Sequence, residues 1–150
     1  MTAHIIQTLM GAIGSVGFAA LFNVRGKRLI LFFLGGALNW AIYLICIENG
    51  SSMFVGLLCA TMMAAITSEV FARIIRAPVL ILLVPLLIPL IPGGDLYRSM
   101  DGLIRGDTER FLFYGSNAIT SAGAICLGII GTTAITHIIL RVRDHFRKSK

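Results

Sequence analysis

Five stretches of this chain contain no Asp, Glu, Lys or Arg: residues 5–22, 29–47, 51–68, 77–94 and 111–140. The shortest has 18 residues. A hydrocarbon core about 30 Å thick needs roughly 20 residues of helix at about 1.5 Å per residue. Soluble domains draw about a quarter of their residues from charged types, whereas here the share is 13% against 57% hydrophobic. The mean hydropathy is +0.88. A soluble core has no use for five such runs, so the expected fold is an all-α integral membrane protein with about five transmembrane helices. The expected organisation is one transmembrane domain over residues 1–140, with spans at about 5–22, 29–47, 51–72, 77–94 and 111–140. A basic cytoplasmic tail, 141–150, follows.

The first run is read as a true span. A secretory signal carries positive charge before its apolar stretch, but here Arg25, Lys27 and Arg28 come after it. Placing the C-terminus in the cytoplasm puts ten Lys/Arg inside (three at 23–28, two at 73–76, five at 141–150) and only Arg98, Arg105 and Arg110 outside. That asymmetry orients the chain N-out, C-in. It also accounts for the net charge of +6 without a nucleic-acid partner; the surroundings that the composition implies are the lipid bilayer. Cys46, Cys59 and Cys126 fall in three different spans without a C-x-x-C. They read as small hydrophobes rather than a disulfide framework or metal site, and nothing calls for a cofactor.

Small residues mark the helix contacts. Gly11, Gly14 and Gly17 in the first span, Gly35, Gly36 and Asn39 in the second, and Ala60, Ala64 and Ser68 in the third lie on shared faces. Such stripes let helix backbones approach closely in lipid.

The fourth run differs. All four prolines, Pro78, Pro85, Pro89 and Pro92, occur within fifteen residues. Each interior proline removes an N–H donor and clashes with the carbonyl four residues back, which would free the carbonyls of Ile81, Pro85 and Ile88. Freed carbonyls are tolerated at membrane depth only against protein or a water-filled cavity. Residues 77–92 would rise about 24 Å as helix, so the Gly93-Gly94 break falls short of the far surface, and the fourth span is read as broken by Pro/Gly. Asp95 is placed as the N-cap of a short amphipathic helix with Leu96, Tyr97, Met100, Leu103 and Ile104 on one face. The last run, about 45 Å of helix, must tilt, protrude, or break at Gly115 or Gly123. Its face of Asn117, Ser121 and Gly128 either lines a pathway or hydrogen-bonds neighbouring helices.

The run Leu83-Val-Pro-Leu-Leu-Ile-Pro-Leu-Ile-Pro-Gly-Gly-Asp-Leu-Tyr-Arg-Ser-Met100 resembles the threonine/serine exporter (ThrE) family, in which a proline-rich helix ends in a P-L-x-P-G-x-x-x-Y-R pattern. Residues 17–28 (GFAALFNVRGKR) and 68–78 (SEVFARIIRAP) are similar to that family's carboxy-terminal half. The resemblance implies the short, separate subunit of a secondary transporter in the bacterial cytoplasmic (inner) membrane. It implies a small-molecule substrate, threonine/serine-type amino acids or dicarboxylates such as succinate. It also implies a second membrane subunit resembling the amino-terminal half of the fused exporters; a homo-oligomer is the other assembly it admits. An odd number of spans independently suits an inverted repeat with a shared midplane site.

The candidate substrate site is Pro92, Gly93, Gly94 and Asp95, where a helix start offers N–H groups and a positive dipole end to a carboxylate. Tyr97 would add a hydroxyl, Arg98 a carboxylate partner, and Asn117 and Ser121 a polar wall. Glu69 is the candidate for proton coupling, although Arg73 stands at ion-pair spacing. A channel-like or structural subunit is the alternative function. An intramembrane enzyme built on Ser15 and His137 is a remote one, since nothing marks Ser15 as activated. The topology is checked by reporter fusions after residue 150: a green fluorescent protein should fluoresce and alkaline phosphatase should stay inactive, and the reverse pattern would overturn the N-out, C-in orientation.

Overall fold

A computed structural model describes the backbone of residues 2–148. The earlier readings of His137 and of the tail 141–150 lie outside the described side chains. The elements are α1 (Thr2–Leu21), α2 (Leu29–Glu48), α3 (Met53–Ile75), α4 (Val79–Leu87), α5 (Gly93–Ile104) and α6 (Thr108–Lys148), with 3-10 turns at Gly26–Arg28 and Ile88–Leu90. Among the described residues there is no strand. Four helical segments, Thr2–Leu21, Gly26–Glu48, Met53–Ile75 and Thr108–Thr136, are long and apolar enough to cross a bilayer. Val79–Leu90 and Gly93–Ile104 make a fifth crossing if the pair, bent by 56°, counts as one. The chain is an all-α, multi-pass membrane protein.

Local chemistry explains where the helices stop. The Ser52 hydroxyl caps α3 by accepting from the Val55 N–H at 3.4 Å. At the other end Arg76 turns into the left-handed region (φ 53°), the Ala77 N–H bonds back to the Ala72 carbonyl, and Pro78 follows. A chain reversal of that kind is how helices commonly end.

α1 and α2 are antiparallel. His4 Nδ1 lies 3.1 Å from Glu48 Oε1 near one end, Gly11 faces Trp40, and Gly36 faces Ser15 and Ala12. α3 and α6 run parallel, with Met53 beside Ser121 and Thr61 against Gly128. α4 inserts among the first three helices, bringing Leu86 onto Gly35 and Phe71. The buried set is dominated by alanine, Ala12, Ala19, Ala60, Ala64, Ala65 and Ala124 among them, while Leu21, Ile30 and Leu80 point outward. In lipid there is no hydrophobic gain in bringing helices together, so close backbone approach at small residues supplies the packing.

The last helix is longer than the sequence reading placed it and is unbroken at Gly115 and Gly123; it protrudes. Ser121 meets the first residue of α3, so about 20 Å of α6 precedes that level. α5 doubles back along this extension, with Ser99 donating to the Phe111 carbonyl (3.0 Å) and Gly102 against the Phe111 backbone. Gly106 (φ 71°) makes the turn, and Asp107 caps α6 by accepting from the Arg110 N–H at 3.0 Å. Asp101 then pairs with Arg105 at the end of its own helix (2.8 Å) and with Arg110 across the hairpin (3.4 Å). The amphipathic helix therefore packs by its small residues, and its apolar face of Leu96, Tyr97, Met100, Leu103 and Ile104 stays exposed.

A Cβ added at Gly128 would fall 2.8 Å from Thr61 Cβ and 3.2 Å from the Leu58 carbonyl, whereas one at Gly131 would meet nothing within 4 Å. Neither neighbour of Gly128 is a flexible chain end. Gly128→Ala should therefore destabilise the α3–α6 contact by about 1–3 kcal/mol and Gly131→Ala should not, as read by thermal unfolding in detergent. Equal melting temperatures would contradict this packing.

Candidate functional site

The fourth crossing comes apart as its prolines dictate. α4 tightens into a 3-10 turn at Ile88–Leu90, where the Ile91 N–H reaches the Ile88 carbonyl at 3.2 Å. That carbonyl, expected to be free, thereby regains a partner. Pro92 (φ −76°, ψ 57°) forms an inverse γ-turn closed by the Gly93 N–H on the Ile91 carbonyl at 2.7 Å. The Leu96 N–H then bonds to the Pro92 carbonyl at 3.1 Å, so α5 starts at Gly93 with Pro92 in the cap position. Asp95 is the third helical residue rather than the N-cap. The correction has a simple cause: both glycines adopt helical dihedrals in open space, so the cap moves from Asp95 to Pro92 and the helix begins three residues early. No capping side chain is present, and the N–H groups of Gly94 and Asp95 are given no acceptor by the turn.

A cavity of about 170 Å³ sits at this break. It is walled by Pro89–Asp95 on one side and by Trp40, Tyr43, Met53 and Leu57 on the other. Tyr43 and Leu57 lie about one turn inside the Glu48 and Met53 ends of α2 and α3, while Met53, Ile91, Gly93 and Gly94 are exposed, so the break opens near that end of the bundle. At about 30 Å³ of liquid volume per water, the space holds the equivalent of roughly five or six waters. Among the described residues its only carboxylate is Asp95, and no Lys, Arg or His lines it.

Of the residues singled out from the sequence, Pro92, Gly93, Gly94 and Asp95 come together at this cavity. Tyr97 and Arg98 do not line it: Tyr97 is 74% exposed, and the Arg98 guanidinium stacks over the Tyr114 ring at 5.3 Å. Asn117 and Ser121 lie on α6, outside the lining, and the buried Ser121 hydroxyl donates to the Asn117 carbonyl at 2.8 Å. Glu69 is far along α3 and pairs with Arg73 at 3.6 Å. Seven lining residues were not singled out as site residues: Pro89, Leu90 and Ile91 on the broken segment, and Trp40, Tyr43, Met53 and Leu57 opposite it. Trp40 and Tyr43 are aromatics tilted against each other (centroids 5.4 Å apart) one turn apart on α2, a detectable signal, while Met53 and Leu57 are indistinguishable in sequence from core.

A second cavity of about 340 Å³ lies on the α1 side, touching Gln7, Met10, Gly14, Trp40 and Pro89. Trp40 and Pro89 belong to both cavities and stand between them.

A multi-helix membrane bundle with one segment broken over a cavity is an arrangement that many membrane transporters use to build a site. More particularly, the family described as Threonine/Serine exporter, ThrE, matches residues 7–135, most of the chain. The chain belongs to that family. No curated protein and no solved structure matches it.

Glu69 and Arg73 form a helix-surface pair of a kind that contributes a few tenths of a kcal/mol. Glu69→Gln should therefore leave export within about twofold of wild type in a cell-based efflux assay, and a loss of tenfold or more would return Glu69 to the coupling role.

Proposed function

We propose that the chain exports threonine- and serine-type amino acids, holding the passenger's ammonium on the Asp95 carboxylate and its carboxylate on the N–H groups of Gly94 and Asp95. The observation that carries this reading is the lone carboxylate in the cavity at the break, with two uncapped amides beside it and no basic side chain. The passenger's carboxylate meets the positive end of α5 and its ammonium meets Asp95, so a zwitterion is matched at both ends. At an effective dielectric of about 20, opposite unit charges 4 Å apart attract by about 4 kcal/mol before desolvation. A dicarboxylate would meet a repulsion of similar size at the same place. The charge pattern therefore favours amino acids over dicarboxylates such as succinate.

Export of this kind is proposed to be driven by the proton gradient. Asp95 is the better-placed coupling group, because it lines the cavity while Glu69 is engaged with Arg73. Trp40 and Pro89 stand between the two cavities, which supports a gated transporter over an open channel. The wall around the break is thin, and exposed small polar residues such as Ser116, Thr120 and Thr133 are suited to helix contacts. Both points support a second membrane subunit that completes an inverted repeat.

Asp95→Asn should lower threonine efflux at least tenfold at wild-type abundance, and Asp95→Glu should retain part of it. Arg98→Ala, off the cavity, should stay within about threefold. Undiminished efflux from Asp95→Asn would overturn the site.

A further inference from the structure

The break does not account for every strained polar group in the bundle. Asn39 is 1% exposed and Ser15 0% exposed, and neither the Asn39 amide oxygen and nitrogen nor the Ser15 hydroxyl has a hydrogen-bond partner. The buried Trp40 indole N–H is likewise unpartnered. Buried polar groups are almost always paired, and each exception calls for an explanation.

Their placement supplies one. Ser15 follows Gly14, where an added Cβ would lie 3.7 Å from the Pro89 ring, and the Ser15 hydroxyl abuts Gly36. Asn39 is one turn beyond Gly35, which rests on Leu86. α2 and α4 run in the same direction, so one turn beyond Leu86 is the 3-10 turn at Ile88–Leu90, which touches α1, α2 and α3. The Pro85 carbonyl has lost its α-helical donor there, because residue 89 is proline. Ser15 on α1 and Asn39 on α2 thus hold unpaired polar side chains close to the Gly14–Pro89 and Gly35–Leu86 contacts of the broken segment, and neither borders either cavity in this conformation.

We infer that Ser15 and Asn39 line the next stretch of the translocation path, closed in this conformation by Trp40 and Pro89. A small zwitterion passing that partition meets in Asn39 one acceptor and two donors, and in Ser15 a hydroxyl that gives or takes a hydrogen bond. The groups unpaired here become paired to the passenger or to water when the broken segment shifts. This inference rests on the proposed export reading, and the two fail separately.

The test separates packing from passage. Replacing an unpartnered buried amide by an apolar side chain of similar shape is neutral or stabilising for the fold. Asn39→Leu should therefore melt at or above the wild-type temperature yet export threonine at least tenfold more slowly. Ser15→Cys, in a background where Cys46, Cys59 and Cys126 are replaced and export persists, should react with a membrane-impermeant thiol reagent during export. Excess threonine should slow that reaction, and the outward-facing control Leu38→Cys should not react. Asn39→Leu exporting within twofold of wild type, or Ser15→Cys staying unreactive in exporting vesicles of both orientations, overturns the inference. If Asp95→Asn measured alongside exports normally, the substrate site is what fails, whatever Asn39 does.

Discussion

Hydrocarbon offers a peptide group nothing to bond with, and every feature of this chain follows from how it answers that constraint. Four crossings do so by being uninterrupted helices. The segment from Val79 to Ile104 cannot, because Pro85, Pro89 and Pro92 remove three donors from one short stretch. The backbone recovers part of the loss by tightening, through the 3-10 turn and the γ-turn at Pro92. What it cannot recover is the first turn of α5, where Gly94 and Asp95 line a cavity and their N–H groups find no carbonyl. Gly94 is exposed and Asp95 half-buried, so these amides are open to water or to a polar passenger; in lipid alone each would lack any partner.

The rest of the bundle keeps that defect in place. Alanine and glycine contacts hold α1, α2 and α3 close enough for α4 to be wedged among them, with Gly35 admitting Leu86 and Gly14 admitting Pro89. The α5–α6 hairpin anchors the other side of the break through Ser99, Gly102 and the Asp101 ion pairs. A 56° bend between two well-packed halves localises motion at the few residues between them, where hinge changes are absorbed. Substrate capture at Asp95 and passage along Asn39 and Ser15 would then be two positions of the same hinge.

Much of this was legible in the sequence. The first three helices lie within a few residues of the charge-free runs, and the ends of α2 and α3 are marked by Arg28, Glu48, Ser52 and Arg76. The break was legible because proline chemistry is local. Less legible were the facts that depend on packing between distant elements. The helix start at Gly93 rather than Asp95 depends on the Pro92 turn, and the direction of Arg98 depends on where α6 puts Tyr114. Trp40, Tyr43, Met53 and Leu57 look like ordinary apolar span residues until the fold sets them opposite the break. Asn39 was visible on a small-residue face, but its lack of a partner is a property of the assembled interior alone.

The central claim is that the fourth crossing is interrupted inside the membrane and wetted there. Amide hydrogen exchange of the protein in lipid nanodiscs measures this most directly. The account predicts that the amides of Gly93, Gly94 and Asp95 exchange orders of magnitude faster than those in the middle of α3, and that threonine slows them. Protection at Gly93–Asp95 equal to that of α3, with no response to threonine, would contradict it.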